Sequence, residues 1–121
     1  MDLRVNEWEL SGLNPGKQFL TDFELAGCAH VHSTPIEESD VEEIGADAFR
    51  LANIVSKIHG VDQARVSRKE LRVFKLPTHT WEELTPLIRK AFKEVYGENI
   101  KFSYQNRLVL MVRRLRVELK S

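Results

Sequence analysis

The 121-residue chain has one cysteine and no long apolar run, and each of these absences excludes a class of protein. Because Cys28 is the single cysteine, a fold held together by internal disulfides is ruled out. No apolar stretch approaches the length of about 18 residues that a membrane-spanning helix needs. Residues 1–4 also lack the basic-then-apolar pattern of a secretion signal. We therefore expect a single cytoplasmic domain, residues 1–121, without membrane contact.

Glycine is sparse, and the six glycines are isolated from one another, so no glycine-rich loop of the phosphate-binding kind is present. No pair of carboxylates stands apart from those that begin helices, and nothing around the cysteine matches a known nucleophile signature. No feature of the sequence thus indicates an enzymatic activity. We leave the question open and favour a protein that is not an enzyme.

Apolar residues make up 42% of the chain and charged residues 30%, which is the balance of a soluble globular domain. The net charge is zero, yet the two halves differ in sign. Residues 1–60 hold eleven acidic and four basic side chains, whereas residues 61–121 hold seven acidic and fourteen basic ones. This asymmetry indicates an acidic partner, nucleic acid or head-to-tail association. The alternative is that the halves of one small domain interleave in space and their charges intermix.

Polar and apolar residues alternate in several short segments, which predicts strands. These segments are residues 3–10, 19–25, 28–33, 64–67, 71–76 and 100–104. Residues 64–67 and 71–76 flank a charged turn and predict an antiparallel hairpin. Residues 107–120 fit either a helix face or a strand, and their β-branched residues favour the strand.

Two segments carry helix signals. Ser39 begins a capping box ahead of an apolar stripe that runs to Ile58. The acidic residues of 37–43 lie where the helix dipole favours them, and the alternative is that they bind a cation. Thr80 begins a second capping box ahead of a stripe that runs to Val95. Pro86 either kinks this second helix or begins a new segment. The order of elements predicts a two-layer α+β sandwich, with a mainly antiparallel sheet and two helices on one face.

Residues 49–95 carry a series of motifs. They are Leu51-Ala52, Ile58-His59-Gly60-Val61, the hairpin of residues 64–76, and Trp81-Glu82-Glu83-Leu84-Thr85-Pro86. The series resembles the N-terminal domain of the Nfu iron–sulfur scaffold proteins. That family's iron–sulfur chemistry belongs to a separate C-terminal domain with a Cys-x-x-Cys pair, which this chain lacks. The resemblance therefore implies an accessory or docking role and carries over no catalytic residue.

The segment Cys28-Ala29-His30-Val31-His32 is a candidate metal site. In a strand, Cys28, His30 and His32 would share one face, while Ala29 and Val31 would face the core. A thiolate with two imidazoles suits zinc or another borderline metal.

The fourth ligand of such a site could come from His59, His79 or a carboxylate. The same two histidines could instead act as a base for Cys28 as a nucleophile. The alternative is that these residues have no chemical role and form a half-exposed strand face, with a small buried cysteine and two solvated histidines.

Basic residues form a second candidate site. They are Arg65, Arg68, Lys69 and Arg72 on the hairpin, and Arg107, Arg113, Arg114 and Arg116 near the end of the chain. Phe74, Phe102 and Tyr104 could stack on the bases of a single-stranded nucleic acid. The alternative is a solvated face of ion pairs.

We therefore expect a non-catalytic protein-interaction or accessory module with a role in iron–sulfur or metal handling. It would bind a protein partner through an exposed sheet edge or the C-terminal segment. Two alternatives remain: a nucleic-acid-binding or regulatory domain that uses the basic half, and a small metal-binding protein that uses Cys28, His30 and His32. No cofactor is expected except a divalent metal in the last case, and a homodimer stays open.

Overall fold

The computed structural model describes residues 3–10 and 16–105, in which helices cover one face of a six-stranded sheet. The strands are β1 (Arg4–Glu9), β2 (Gly16–Thr21), β3 (His32–Ser33), β4 (Val61–Ser67), β5 (Glu70–Lys75) and β6 (Lys101–Gln105). The helices are α1 (Val41–Ile44), α2 (Ala46–Ser56) and α3 (Trp81–Tyr96), and a 3₁₀ turn spans Glu38–Asp40. Within these residues, no helix combines the length and the apolar character that crossing a bilayer requires.

The strands lie in the order β3-β4-β5-β2-β1-β6. Neighbouring strands are antiparallel throughout, except that β6 runs parallel to β1 after the long connection through α3. The longer helices, α2 and α3, both contribute buried residues to the core on one side of the sheet. This arrangement confirms the predicted two-layer α+β sandwich with a mainly antiparallel sheet.

Successive strand residues point to opposite faces, so the sheet has a covered face and an open one. The covered face contributes Val5, Phe19, Ala64, Val66, Leu71 and Val73 to the core. The opposite face carries Trp8, Gln18, Leu20, Arg65, Arg72 and Phe74, and is called the open sheet face below. In the described part of the chain, none of these six belongs to the hydrophobic core or packs against it.

The prediction of one helix beginning at Ser39 is wrong. Gly45 has φ 93° and ψ 150°, which interrupts the helical path and separates α1 from α2. Ser39 lies inside the 3₁₀ turn, where its hydroxyl contacts the Glu37 carboxylate at 3.5 Å and does not cap α1. The predicted apolar stripe is correct nonetheless, because Ile44, Ala48, Leu51 and Val55 are all buried.

The second capping box is confirmed. The Thr80 hydroxyl accepts a hydrogen bond from the Glu83 backbone N–H at 3.3 Å and begins α3. α3 continues through Pro86, which lies on the exposed side and removes the backbone bond to the Glu82 carbonyl. Gly97, at φ 102°, ends the helix.

The strands predicted for residues 19–25 and 28–33 are shorter in the structure. β2 ends at Thr21, β3 has only His32 and Ser33, and residues 22–31 form an irregular connection. This connection bonds to other elements, since Leu25 N donates to the Arg68 carbonyl. Val31, which strand alternation would have buried, is 59% exposed, and Ala29 is exposed as well. The predicted element at 107–120 lies outside the described residues.

A cluster of charged side chains is buried between the sheet and α3. Glu7 of β1 is fully buried, and Lys17 of β2 is 2% exposed. The Lys17 Nζ lies 3.1 Å from the Glu7 carboxylate and donates to the Thr85 hydroxyl at 2.7 Å. Arg89 donates two hydrogen bonds to Glu7, at 2.6 and 3.0 Å, and this raises the pKa of the Arg89 guanidinium. The cluster therefore fixes α3 over β1 and β2.

We predict that Glu7→Gln will lower the free energy of unfolding by about 3 kcal/mol, because it leaves the buried Lys17 ammonium beside a neutral amide. Urea unfolding measures this change. The matched control is Glu82→Gln, which removes an exposed carboxylate of α3 and should alter stability by less than about 0.5 kcal/mol. Equal losses in the two variants would contradict a stabilising role for the cluster.

Candidate functional site

Three side chains able to bind a metal come together where β3, at one edge of the sheet, meets α1. One donor atom from each of Cys28, His32 and Glu43 lies within 4.8 Å of the other two. Cys28 belongs to the connection after β2, His32 to β3 and Glu43 to α1. The cluster thus joins three segments of the chain, and it forms only when the domain is folded.

Gly27 explains why the connection passes so close to α1. Its backbone N–H donates to the Ile44 carbonyl at 2.9 Å. A Cβ atom at this position would lie 2.7 Å from the Glu43 carbonyl oxygen, so a side chain here would push the two segments apart. Because Gly27 permits this close approach, the next residue, Cys28, lies beside Glu43.

The register of β3 directs His32 toward the helix layer. His32 pairs with Val66, whose side chain is in the core, so both side chains point to the covered face. The His32 side chain is 17% exposed, and its Nε2 atom lies 3.7 Å from a Glu43 carboxylate oxygen. This Nε2 is buried and makes no hydrogen bond with the described residues. Buried polar atoms are normally satisfied, so this nitrogen is available to a ligand.

The electrostatic surroundings keep the Cys28 thiol protonated and the region negative. Desolvation raises the pKa of the thiol, and the charge of Glu43 and a hydrogen bond to it raise that pKa further. A bound cation reverses this effect, because metal coordination deprotonates a thiol. Beside the cluster is a groove of about 330 Å³, with carboxylates from Glu24, Glu42, Glu43 and Asp47 in its lining. Such a concentration of negative charge attracts cations.

The structure brings together two of the three residues predicted for a metal site. Cys28 and His32 are close together, but a loop brings them there, since only His32 and Ser33 are in a strand. His30 is exposed and lies outside the cluster. A carboxylate from Glu43 completes the group instead.

His59 and His79, which were considered as a fourth ligand or a base, do not join the cluster. Their rings pack edge to face at 4.9 Å, and the His79 ring lies against Gly60. In the sequence, Glu43 belongs to the acidic residues of 37–43, for which the helix dipole and cation binding are the two explanations, and nothing there connects it with Cys28. No local signal could have done so, because the two segments meet through tertiary contacts such as the Gly27–Ile44 hydrogen bond.

The predicted basic site divides into separate places. Arg65 and Arg72 lie on the open sheet face, while Arg68 and Lys69 form the turn of the hairpin. Arg68 is also 3.6 Å from the carboxylate of Glu24. The predicted members Arg107, Arg113, Arg114 and Arg116 lie outside the described residues.

The aromatic residues proposed for stacking divide in the same way. Phe74 lies on the open sheet face. Phe102 packs on the core beside Phe92, with ring centroids 5.8 Å apart, so its predicted role in stacking is wrong. Tyr104 is in β6, with its backbone paired to Glu7.

Comparison with known proteins supports the fold and leaves the function open. The chain matches no known family profile and no curated protein. It is similar to the crystal structure of protein SAV1430 from Staphylococcus aureus, with a TM-score of 0.56 and 16% sequence identity. The match covers 76% of this chain and 99% of that one. At this identity the likeness concerns the fold alone.

The thiol environment gives a prediction. Replacing Glu43 by Gln removes the charge that raises the pKa of Cys28, so more thiolate forms at mildly alkaline pH. We expect the metal-free variant to react faster with a thiol reagent than the parent protein. Glu42→Gln, one residue away on α1 and exposed, should leave the rate unchanged. A Glu43→Gln rate equal to that of the parent would contradict the contact.

Proposed function

We propose that this protein is a small metal-binding module that holds one divalent transition-metal ion between Cys28, His32 and Glu43. The observation that carries the proposal is the convergence of sulfur, nitrogen and oxygen donors from three segments within 4.8 Å. Ligands around a tetrahedral zinc ion stand roughly 3.4–3.6 Å apart, given metal–ligand distances of about 2.0–2.3 Å. Small side-chain rotations are therefore sufficient to close the three donors around an ion.

The donor set selects the class of metal. Magnesium and calcium prefer oxygen ligands alone, whereas a thiolate with an imidazole favours zinc and its neighbours. Three protein ligands also leave one tetrahedral position for water or an incoming ligand. The hydrophobic core spans the sheet and all three helices, so folding does not depend on the metal. The ion is then a bound cargo or signal, in contrast to the metal of a small zinc-dependent fold.

An open coordination position suits a module that receives or passes on an ion. A thiolate or imidazole from a partner protein can enter that position while the three ligands of this chain still hold the metal. This accords with the accessory role in metal or iron–sulfur handling that the resemblance to Nfu N-terminal domains implies. The proposed role is non-catalytic, and the partner is a second metal-binding protein.

The test is a titration of the metal-free protein with Co²⁺, whose spectrum reports both thiolate coordination and geometry. We expect one equivalent to bind, with a sulfur-to-cobalt charge-transfer band that disappears in Cys28→Ser. His32→Gln and Glu43→Gln should weaken binding by at least about 10- to 100-fold, the loss typical of even an outer-shell partner. The control, His30→Gln, alters the exposed neighbouring histidine and should bind as the parent does.

Two results would contradict this assignment. One is a spectrum without the charge-transfer band, which would mean that the thiol is not a ligand. The other is an equal loss in His30→Gln and His32→Gln, which would leave the His32–Glu43 contact as an ion pair with no metal function.

A second prediction tests whether the fold organises the site. Gly27→Ala keeps every ligand but places a methyl group against the Glu43 carbonyl oxygen. We expect Co²⁺ affinity to fall by at least about tenfold, a loss of the size seen when a supporting residue is removed. The cobalt titration measures the affinity, and circular dichroism checks that the domain stays folded. Unchanged affinity in a folded variant would show that the close approach at Gly27 does not determine the site.

A further inference from the structure

The open sheet face presents apolar rings beside charged side chains, without a helix above them in the described part of the chain. Trp8 and Phe74 are partly exposed and do not pack on the hydrophobic core. Phe74 lies over Gly16, since a Cβ there would be 3.0 Å from the ring. The face therefore offers flat apolar surface to a ligand.

The charge of this face is strongly positive although the chain is neutral. Among the described strand residues that the register places here, four are cationic, namely Arg4, Arg65, Arg72 and Lys101. Glu70 is the single carboxylate in the same set. A patch with this excess of positive charge attracts an anionic partner.

Two arginines lie directly opposite each other at the centre of this face. Arg65 of β4 pairs with Arg72 of β5, and like charges in this relation are destabilising. The Arg65 guanidinium lies 4.8 Å from the centre of the Phe74 ring, and the Arg72 Nε lies 3.2 Å from a Glu70 oxygen. Glu70 thus pairs with Arg72, while Arg65 contacts the Phe74 ring and donates to the Gln63 Oε1 at 3.0 Å. A phosphate group would supply the second negative charge.

The register aligns these features in one row. Trp8, Gln18, Arg72 and Arg65 occupy equivalent positions on four adjacent strands, which spans about 14 Å at the usual strand spacing. Phe74 lies two residues along β5 from Arg72. Rings and arginines at this spacing match the bases and phosphates of an extended strand, as in sheet domains that stack RNA bases on aromatic side chains.

We infer that the open sheet face binds single-stranded nucleic acid. Arg65 turns from the Phe74 ring to a phosphate, which frees that ring for a base, while Trp8 stacks a second base and Arg72 holds a second phosphate. An acidic peptide would satisfy the arginines but leave the two rings without a matching group. This site is separate from the metal cluster, because His32 points to the covered face and Arg65 to the open one.

The test measures the fluorescence anisotropy of a labelled oligouridylate of about 12 nucleotides, a length within the range that single-strand-binding sites cover. The full chain is used in the presence of EDTA, so that no metal contributes. Phe74→Leu keeps apolar volume but removes the ring, and should weaken binding by about 5- to 150-fold. Replacing Arg65 and Arg72 together by Gln should reduce the slope of log affinity against log salt by about 1.4.

Two controls keep the result specific. Arg50→Gln and Lys90→Gln remove two exposed cations from the helix layer and should leave affinity unchanged. In a Trp81→Phe background, Trp8 is the sole remaining tryptophan, and base stacking should quench its fluorescence. This quenching needs no substitution on the open sheet face, so it remains informative if the face variants fail to fold.

Three outcomes would overturn the inference. The first is an absence of binding at low salt. The second is binding that neither the Phe74 nor the arginine variants alter, which would place the nucleic acid elsewhere. The third is equal competition by polyglutamate without quenching of Trp8, which would make the face a docking surface for acidic protein segments.

Discussion

The one-sided burial of the sheet is the constraint on which both candidate sites depend. Because side chains alternate, a slip of one residue in any strand would exchange its two faces. The register that buries Val66 and Val73 also turns Arg65 and Arg72 outward. The same register turns His32 inward, next to α1, since it pairs with Val66. A single packing requirement therefore positions His32 on one face and the cationic row on the other.

The metal cluster carries local costs that the rest of the fold offsets. A thiol and a carboxylate lie side by side, which raises the pKa of Cys28, and the His32 Nε2 has no hydrogen-bond partner among the described residues. The unpartnered His32 nitrogen is unfavourable in the absence of a ligand, whereas the thiol stays neutral and donates a hydrogen bond to the carboxylate. Sites that violate local rules in this way are commonly functional. The core around Leu51, Phe92 and their neighbours supplies the stability that tolerates them.

Local signals in the sequence predicted the elements that depend on neighbours along the chain. The Thr80 cap, the hairpin of β4 and β5, and strands β1 and β6 follow from residues within one element or one turn. The prediction of one helix from Ser39 was wrong because Gly45 adopts a positive φ, and the periodicity of apolar residues does not reveal this. The strands predicted to include residues 22–31 are shorter because the hydrogen-bond partners of this segment, Arg68 and Ile44, are distant in sequence.

The same limit explains which site residues could be found. Cys28 and His32 could be recognised from the sequence as candidate site residues because they are close along the chain. Arg65 and Arg72 could be recognised because they flank one turn. Glu43 and Glu7 could not, since each becomes meaningful only when a second element packs on it. Residue type alone marks a donor or a charge. Tertiary contact decides whether that group meets its partners.

The two proposed sites meet at β3, the shortest strand of the sheet. His32 and Ser33 are consecutive, and the alternation of the strand sends them to opposite faces. Ser33 pairs with Arg65, so the edge of the cationic row adjoins the strand that holds a metal ligand. An edge strand held by two residue pairs is a weakly constrained part of a sheet. In the proposed metal site, ligation of His32 would anchor this strand to α1 and thereby fix the border of the open sheet face at Arg65.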